Sequence, residues 1–361
     1  MLDTVFLICF VLLGTVGLAS WTSVIRKKKR GQDLLGRLGQ RDLIGSPYGL
    51  IDVFLVFFAW FGGQFFAVGV AMLLMGISVA EISELAGDQE AKVLGIVGLA
   101  QLVGVALALV ALYYRYCRVG GGSLQAIGLQ PQNIVKDVTL GGVAFAMVIP
   151  IVLLIQWLLT LLVDYEHASL QMLNKDAATL TFVLVWFVAG VVAPICEEIF
   201  FRGTLQAWLQ RLGHSRMKSD EILIGGWDGQ AKIPNVTEIP NVTEGSDRGE
   251  SQSAETTAAV NRNDSNPYQS PQTPSEQNGP WPRSWVTKSH WPIYVTAAIF
   301  AGLHIGQGLA PIPLFVLAVA LGYLYRKTGS ILPCIVLHML LNMFSLFWYT
   351  MGVMYGAEPM P

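Results

Sequence analysis

The sequence predicts an all-α fold, a polytopic transmembrane helix bundle interrupted by one disordered cytoplasmic insertion. Three observations lead there. Hydrophobic residues make up 53% and charged residues 13% of the chain, and the mean hydropathy is +0.51, whereas an average soluble domain is about 25% charged. The apolar residues are gathered into runs close to the roughly 20 residues a helix needs to cross a bilayer. They do not form the ~10-residue alternating strands of a transmembrane barrel. Finally, a single stretch from Gly225 to Lys288 is rich in Pro, Ser, Thr, Asn, Gln and Gly and contains almost no Leu, Phe or Ile.

On the bilayer ruler the chain offers about eight spans, at 2–20, 51–77, 92–114, 138–163, 181–202, 291–309, 311–326 and 330–352. The first could be taken for a signal peptide, but it carries Asp3 where a basic region would precede the apolar run. Its cluster Arg26-Lys27-Lys28-Lys29-Arg30 comes after that run, as in an uncleaved helix with its N-terminus outside. Alternation then places Glu81, Glu84, Asp88 and Glu90 outside, and Arg115, Arg118 and Lys136 inside. Asp164, Glu166, Lys175 and Asp176 fall outside; Arg211, Arg216, Lys218, Arg326 and Lys327 fall inside. Every short loop obeys the positive-inside rule, so both termini are expected outside. Gly302, Gly306 and Gly308 mark the sixth segment as a place for a broken or tilted helix.

The organisation expected is therefore N-terminal transmembrane helices over 1–120, a second membrane core over 121–213 and 291–361, and a polar, largely disordered cytoplasmic loop over 214–290. The loop lacks the apolar residues to form a core. Within it Ile233-Pro-Asn-Val-Thr-Glu238 recurs at once as Ile239-Pro-Asn-Val-Thr-Glu244, a duplication too short for a solenoid. Asn235-Val236-Thr237 and Asn241-Val242-Thr243 match the glycosylation sequon, on the wrong side of the membrane for it. The loop reads as a spacer, with a tether for a partner as the functional alternative. Cys9, Cys117, Cys196 and Cys334 are scattered without CxxC spacing, so neither a disulfide framework nor a thiolate zinc site is suggested. The net charge of −2 is segregated by loop and points to no nucleic-acid partner; the bilayer itself is the first partner implied.

Against this apolar background the ionisable residues stand out. Glu197 and Glu198 end the run that begins near Thr181, and Arg202 follows four residues later. A charge at membrane depth costs at least ~2.5–3.5 kcal/mol, so such residues mark functional sites with partners on other helices. Candidate partners are His304 in AAIFAGLHIG, and His338 in CIVLHMLLN with Asn342 four residues on. Adjacent helical residues are about 100° apart, so Glu197 and Glu198 cannot face the same way. Glu198 and Arg202, at i and i+4, share a face and form a supporting ion pair, leaving Glu197 for chemistry. Pro194 removes a helical hydrogen bond and can kink the helix to open a cavity. Phe300 shares a face with His304, as His338 does with Asn342. A buried carboxylate beside a histidine can deprotonate a water, and a second histidine with an amide can hydrogen-bond a developing oxyanion. That equipment suits peptide hydrolysis without a serine or cysteine nucleophile.

Glu197-Glu198-Ile-Phe-Phe-Arg202, Phe300-Ala-Gly-Leu-His304 and His338-Met-Leu-Leu-Asn342 resemble the EExxxR, FxxxH and HxxxN motifs of the CAAX prenyl endopeptidase and bacteriocin-processing (CPBP) family of intramembrane proteases. Gly322-Tyr-Leu-Tyr-Arg-Lys-Thr-Gly-Ser330 resembles that family's link into its last motif helix. The resemblance covers roughly 120–345 apart from the long loop, and the insertion between the first two motifs departs from the usual short connection. It implies a helical core with an internal cavity, in which Glu197 and His304 activate water and His338 and Asn342 stabilise the tetrahedral intermediate. Glu198 and Arg202 would hold the architecture. The implied substrate is a membrane-associated or prenylated, CAAX-like protein or peptide. Members are often called metalloproteases, and Glu197, His304 and His338 have the ligand chemistry of zinc; the HExxH spacing that puts two ligands on one helix is absent. Zinc and a glutamate-activated water both stay open. A different class of reading is a non-proteolytic membrane scaffold or self-immunity protein, which the long loop would suit. A proton-linked transporter should show inverted repeats, and the sequence contains no convincing internal repeat.

Overall fold

Helices are the regular elements of the computed structural model, which describes residues 2–32, 48–76, 88–119, 128–129, 133–162, 183, 186–212, 219–225 and 289–355; no strand occurs among them. In chain order they are α1 (Leu2–Lys29), α2 (Leu50–Met75), α3 (Asp88–Val119), α4 (Ile134–Thr160), α5 (188–212), α6 (Ser219–Ile224), α7 (Trp291–Gly302), α8 (Pro311–Thr328) and α9 (Leu332–Tyr355). They belong to one unit formed by residues 1–228 and 283–361. The acidic residues Glu81, Glu84, Asp164, Glu166 and Asp176, most of the 214–290 loop, its duplicated hexapeptide and its sequons lie outside the described residues.

Large apolar side chains are exposed along the outer helix faces, Leu73 at 80% and Leu74 at 82% among them. In water such a surface would not stay dispersed; against lipid tails it costs nothing, so this is an integral membrane protein. The count of eight spans is not reproduced among the described residues. Five described helices have the length and hydropathy to cross: Leu7–Lys29, Leu50–Met75, Gly98–Arg115, Ile134–Thr160 and Leu332–Gly352. The expected span 291–309 is instead the 12-residue α7, which stops at Gly302. At 1.5 Å per residue it extends about 18 Å, short of the ~30 Å hydrocarbon core. A single 3₁₀ turn, Ile305–Gln307, and Gly308 at φ 61° carry the chain over into α8, so α7 and α8 pack as a hairpin.

Close backbone approach fixes how the long helices cross. Gly17 of α1 lies against the Ala146 carbonyl of α4, with the Trp21 indole donating to the Met147 carbonyl at 3.1 Å. Gly141 of α4 sits against Pro333 and Val336 of α9. Small residues at such crossings let membrane helices reach van der Waals contact along their backbones. At the base of α4, buried Asp137 accepts a 2.7 Å hydrogen bond from Ser330, at the entry to α9. These contacts set α4 and α9 side by side, and the site lies between them and α5.

α5 is wound unevenly. Residues Val188–Val192 and Ile199–Gln206 follow π geometry, with Ala193–Glu198 as α-helix between them. Four of its buried polar side chains, Glu198, Arg202, Gln206 and Gln210, recur every fourth position, with Thr204 and Arg211 buried beside them. On an α-helix a four-residue step overshoots a full turn by about 40°; the wider π turn reduces that drift and keeps the stripe facing α8. There Arg202 donates to the Ala318 carbonyl at 3.1 Å and Gln206 to the Gly322 carbonyl at 2.8 Å. Gly322 is required at this crossing, since a Cβ would stand 2.9 Å from the Gln206 amide oxygen.

Candidate active site

The first motif begins where α5 changes winding. Glu197 and Glu198 occupy the end of the short α-helical stretch, and as the 100° offset requires they diverge. The Glu198 side chain is fully buried and that of Glu197 is 17% exposed. Glu197 lines a cavity of about 310 Å³ bounded by α4, α5, the α7–α8 connection and α9, and His304, His338 and Asn342 line the same cavity.

Glu198 points away from that space. Its Oε1 accepts from Arg202 Nη1 at 3.1 Å, the expected ion pair, and also from His338 Nδ1 at 2.8 Å. The second bond was not legible in the spacing, because it joins residues 140 positions apart. It makes the supporting pair a three-residue network that orients a cavity-lining imidazole. His338 Nε2 lies 3.6 Å from Glu197 Oε2, beyond hydrogen-bond reach. His338 therefore stands between the two glutamates, one on each ring nitrogen.

His304 sits where α7 ends. Its Nδ1 is 2.8 Å from the Phe300 carbonyl, one turn back. A carbonyl only accepts, so Nδ1 carries the hydrogen and Nε2 of the neutral ring keeps its lone pair. Phe300 does more than fill space. Fully buried, its ring lies 5.2 Å from the Arg202 guanidinium, 4.9 Å from the His304 ring and 5.9 Å from that of His338. It holds the three motifs against one another through a cation–π contact and ring packing.

Asn342 donates from Nδ2 to the Ala189 carbonyl of α5 at 2.8 Å, leaving its second N–H and its Oδ1 for other partners. Several polar residues on the cavity wall were missed by sequence reasoning, Gln156 and Thr160 of α4, Gln307 and Ser345 among them. Gln156 and Thr160 carried a signal, being polar, one turn apart and inside an apolar run. The rest of the wall is largely aliphatic, with Ile149, Val152, Leu314 and Leu346.

The donor set for a metal would be Glu197, His304 and His338. Among the described residues no three His, Cys, Asp or Glu side chains are gathered closely enough to hold one ion. The Nδ1 bonds of His338 to Glu198 and of His304 to Phe300 leave the Nε2 atoms as the positions through which the two rings would hold a metal.

Compared with known families, the chain matches the model of the Rce1-like family, described as type II CAAX prenyl endopeptidase Rce1-like, over residues 179–226 and 278–344. The matched residues include all three motifs and pass over most of the insertion. No curated protein and no solved structure matches the chain.

Proposed function

We propose, since the chain belongs to the CPBP family of intramembrane proteases, that it is a CAAX-type endopeptidase in which Glu197 and His304 activate a water and His338 and Asn342 receive the oxyanion. The observation that carries this reading is the division of labour around the cavity. Glu197, His304, His338 and Asn342 all line it, whereas Glu198 and Arg202 are buried beside it and bonded to each other.

In this mechanism the substrate's scissile carbonyl enters the cavity beside a water held by Glu197. The carboxylate takes one proton from the water as its oxygen attacks the carbonyl carbon. His304, with Nδ1 fixed on Phe300, accepts a hydrogen bond from that water at Nε2 and orients it. Charge then collects on the former carbonyl oxygen. Protonated His338 donates to it from Nε2, with the Glu198 carboxylate on Nδ1 balancing the ring's charge, and the second Asn342 N–H donates beside it. Two such donors contribute through preorganisation. Collapse of the intermediate breaks the C–N bond, and the departing amine takes the proton held by Glu197.

The aliphatic wall suits a substrate with an apolar segment, and a prenylated, CAAX-like C-terminus is the substrate class we propose. The orientation we propose is the one read from the loops, with the N-terminus outside and the 214–290 loop cytoplasmic. The test is cleavage of a quenched peptide library and of a prenylated CAAX-type peptide by detergent-purified wild type and Glu197→Ala, with metal content measured on the same samples. Cleavage by wild type alone supports the assignment, and its persistence or loss on chelation decides between a glutamate-activated water and a metal. Equal cleavage by both proteins removes Glu197 from the mechanism.

A further inference from the structure

Pro194 stands next to the motif glutamates, and its effect on α5 reaches across to Asn342. In the π turn Val188–Val192 the Ala193 N–H bonds to the Val188 carbonyl, five residues back. That donor is the one an α-helix would give to Ala189. The next π donor to Ala189 would be the N–H of residue 194, and proline has none. The Ala189 carbonyl is thus left without a backbone donor by both windings. It accepts instead from Asn342 Nδ2, at 2.8 Å.

We propose that Pro194 is a positioning residue of this site: by withholding an N–H it reserves the Ala189 carbonyl for Asn342 and so fixes how the amide presents its second N–H to the cavity. The idea rests on the reading above that Asn342 serves the reaction. It goes beyond that reading in assigning the amide's orientation to a vacancy in the backbone ladder of a different helix. A carbonyl can receive two donors, but here one side-chain amide replaces the ladder bond, and with it the Asn342 rotamer is tied to α5. Gly190, the next residue, has Met343 and Leu346 of α9 packed against its Cα, where a Cβ would stand 2.8 Å from the Met343 sulfur. α5 and α9 are therefore in van der Waals contact at the level of the bond, which keeps Asn342 within reach.

The test is a cycle of Pro194→Ala and Asn342→Ala in the full-length detergent-purified protein, read by thermal unfolding and by cleavage kinetics. Asn342→Ala strands the Ala189 carbonyl, and Pro194→Ala in that background supplies the missing N–H. It is expected to raise the Tm of the Asn342→Ala protein by about 2–4 °C, although alanine at 194 in the wild-type background gives no such gain. In the wild-type background Pro194→Ala is expected to lower kcat by up to about 10²-fold with KM little changed, the scale of a small misplacement of a reacting group. In the Asn342→Ala background it should lower kcat no further. Replacing residue 194 by the α-hydroxy analogue of alanine, which lacks both the ring and the N–H, is expected to restore kcat and separates the donor from the ring. A Tm gain of the same size in both backgrounds, an equal kcat loss in both, or failure of the ester to rescue would overturn the proposal. Should Asn342→Ala cleave as fast as wild type, the catalytic reading of Asn342 fails; the Tm cycle still reports on the carbonyl by itself.

Discussion

Glu197 and Glu198 are chemically identical neighbours, and the structure requires that they fail in different ways when each is changed to glutamine. Glu198→Gln keeps the shape and removes the charge. What is lost can be counted from its contacts. Oε1 accepts one bond from Arg202 at 3.1 Å and one from His338 at 2.8 Å, each a charge-assisted interaction of about 1.5–3 kcal/mol. The Arg202 side chain, 1% exposed, is left as an uncompensated charge, although its bond to the Ala318 carbonyl remains. Breaking one side of a buried pair costs about 3–5 kcal/mol, which at a few degrees per kcal/mol is a fall in Tm of roughly 6–20 °C. Glu197→Gln faces none of this. Its carboxylate lines the cavity, and its contact with His338 is 3.6 Å, too long to contribute as a hydrogen bond, so its stability should stay within about 0.5 kcal/mol of wild type while cleavage is abolished. The assay is thermal unfolding in detergent, followed by intrinsic tryptophan fluorescence, alongside peptide cleavage by the same preparations. A Glu198→Gln protein as stable as wild type, or a Glu197→Gln protein destabilised as much as Glu198→Gln, would refute the reasoning.

Other outcomes follow from the same geometry. His304→Ala should abolish cleavage while the protein still inserts and folds, with unchanged thermal unfolding as the check, because its anchoring bond is to a carbonyl that could turn to another donor. Asn342→Ala should lower kcat about 10²–10³-fold, the effect of removing one oxyanion donor, in single-turnover measurements. Gly322→Ala would drive a methyl into the Gln206 amide and the Ile293 side chain; a loss of about 1–3 kcal/mol from overpacking is expected, seen as a lower Tm. Replacing 226–288 by a short linker should leave kcat/KM within about twofold, since loop length changes closure entropy only logarithmically. Residues 219–225 must be kept in that variant, because Arg115 donates to the Ile224 carbonyl and Trp208 to the Ile222 carbonyl.

The sequence by itself determined that the chain is a helical membrane protein, because apolar runs of bilayer length have few other solutions once every backbone group must be satisfied internally. It also separated the two glutamates, since 100° between neighbours forbids a common direction, and it paired Glu198 with Arg202 by their spacing. Single polar residues on separate apolar helices were enough to nominate His304, His338 and Asn342. What only the tertiary structure decided are relations between distant positions. The bond from His338 to Glu198, the ring of Phe300 set among Arg202, His304 and His338, and the grip of Asn342 on Ala189 all join segments whose register no periodicity encodes. The length of α7 was decided there as well: Ala310 and Pro313 of the α7–α8 hairpin pack on the cavity, and a helix continued through His304 would remove the turn that places it. Local spacing sets which way a side chain leaves its helix; which neighbour it meets depends on how far each helix slides along the next, and that is settled by close packing at glycines such as Gly17, Gly141 and Gly190.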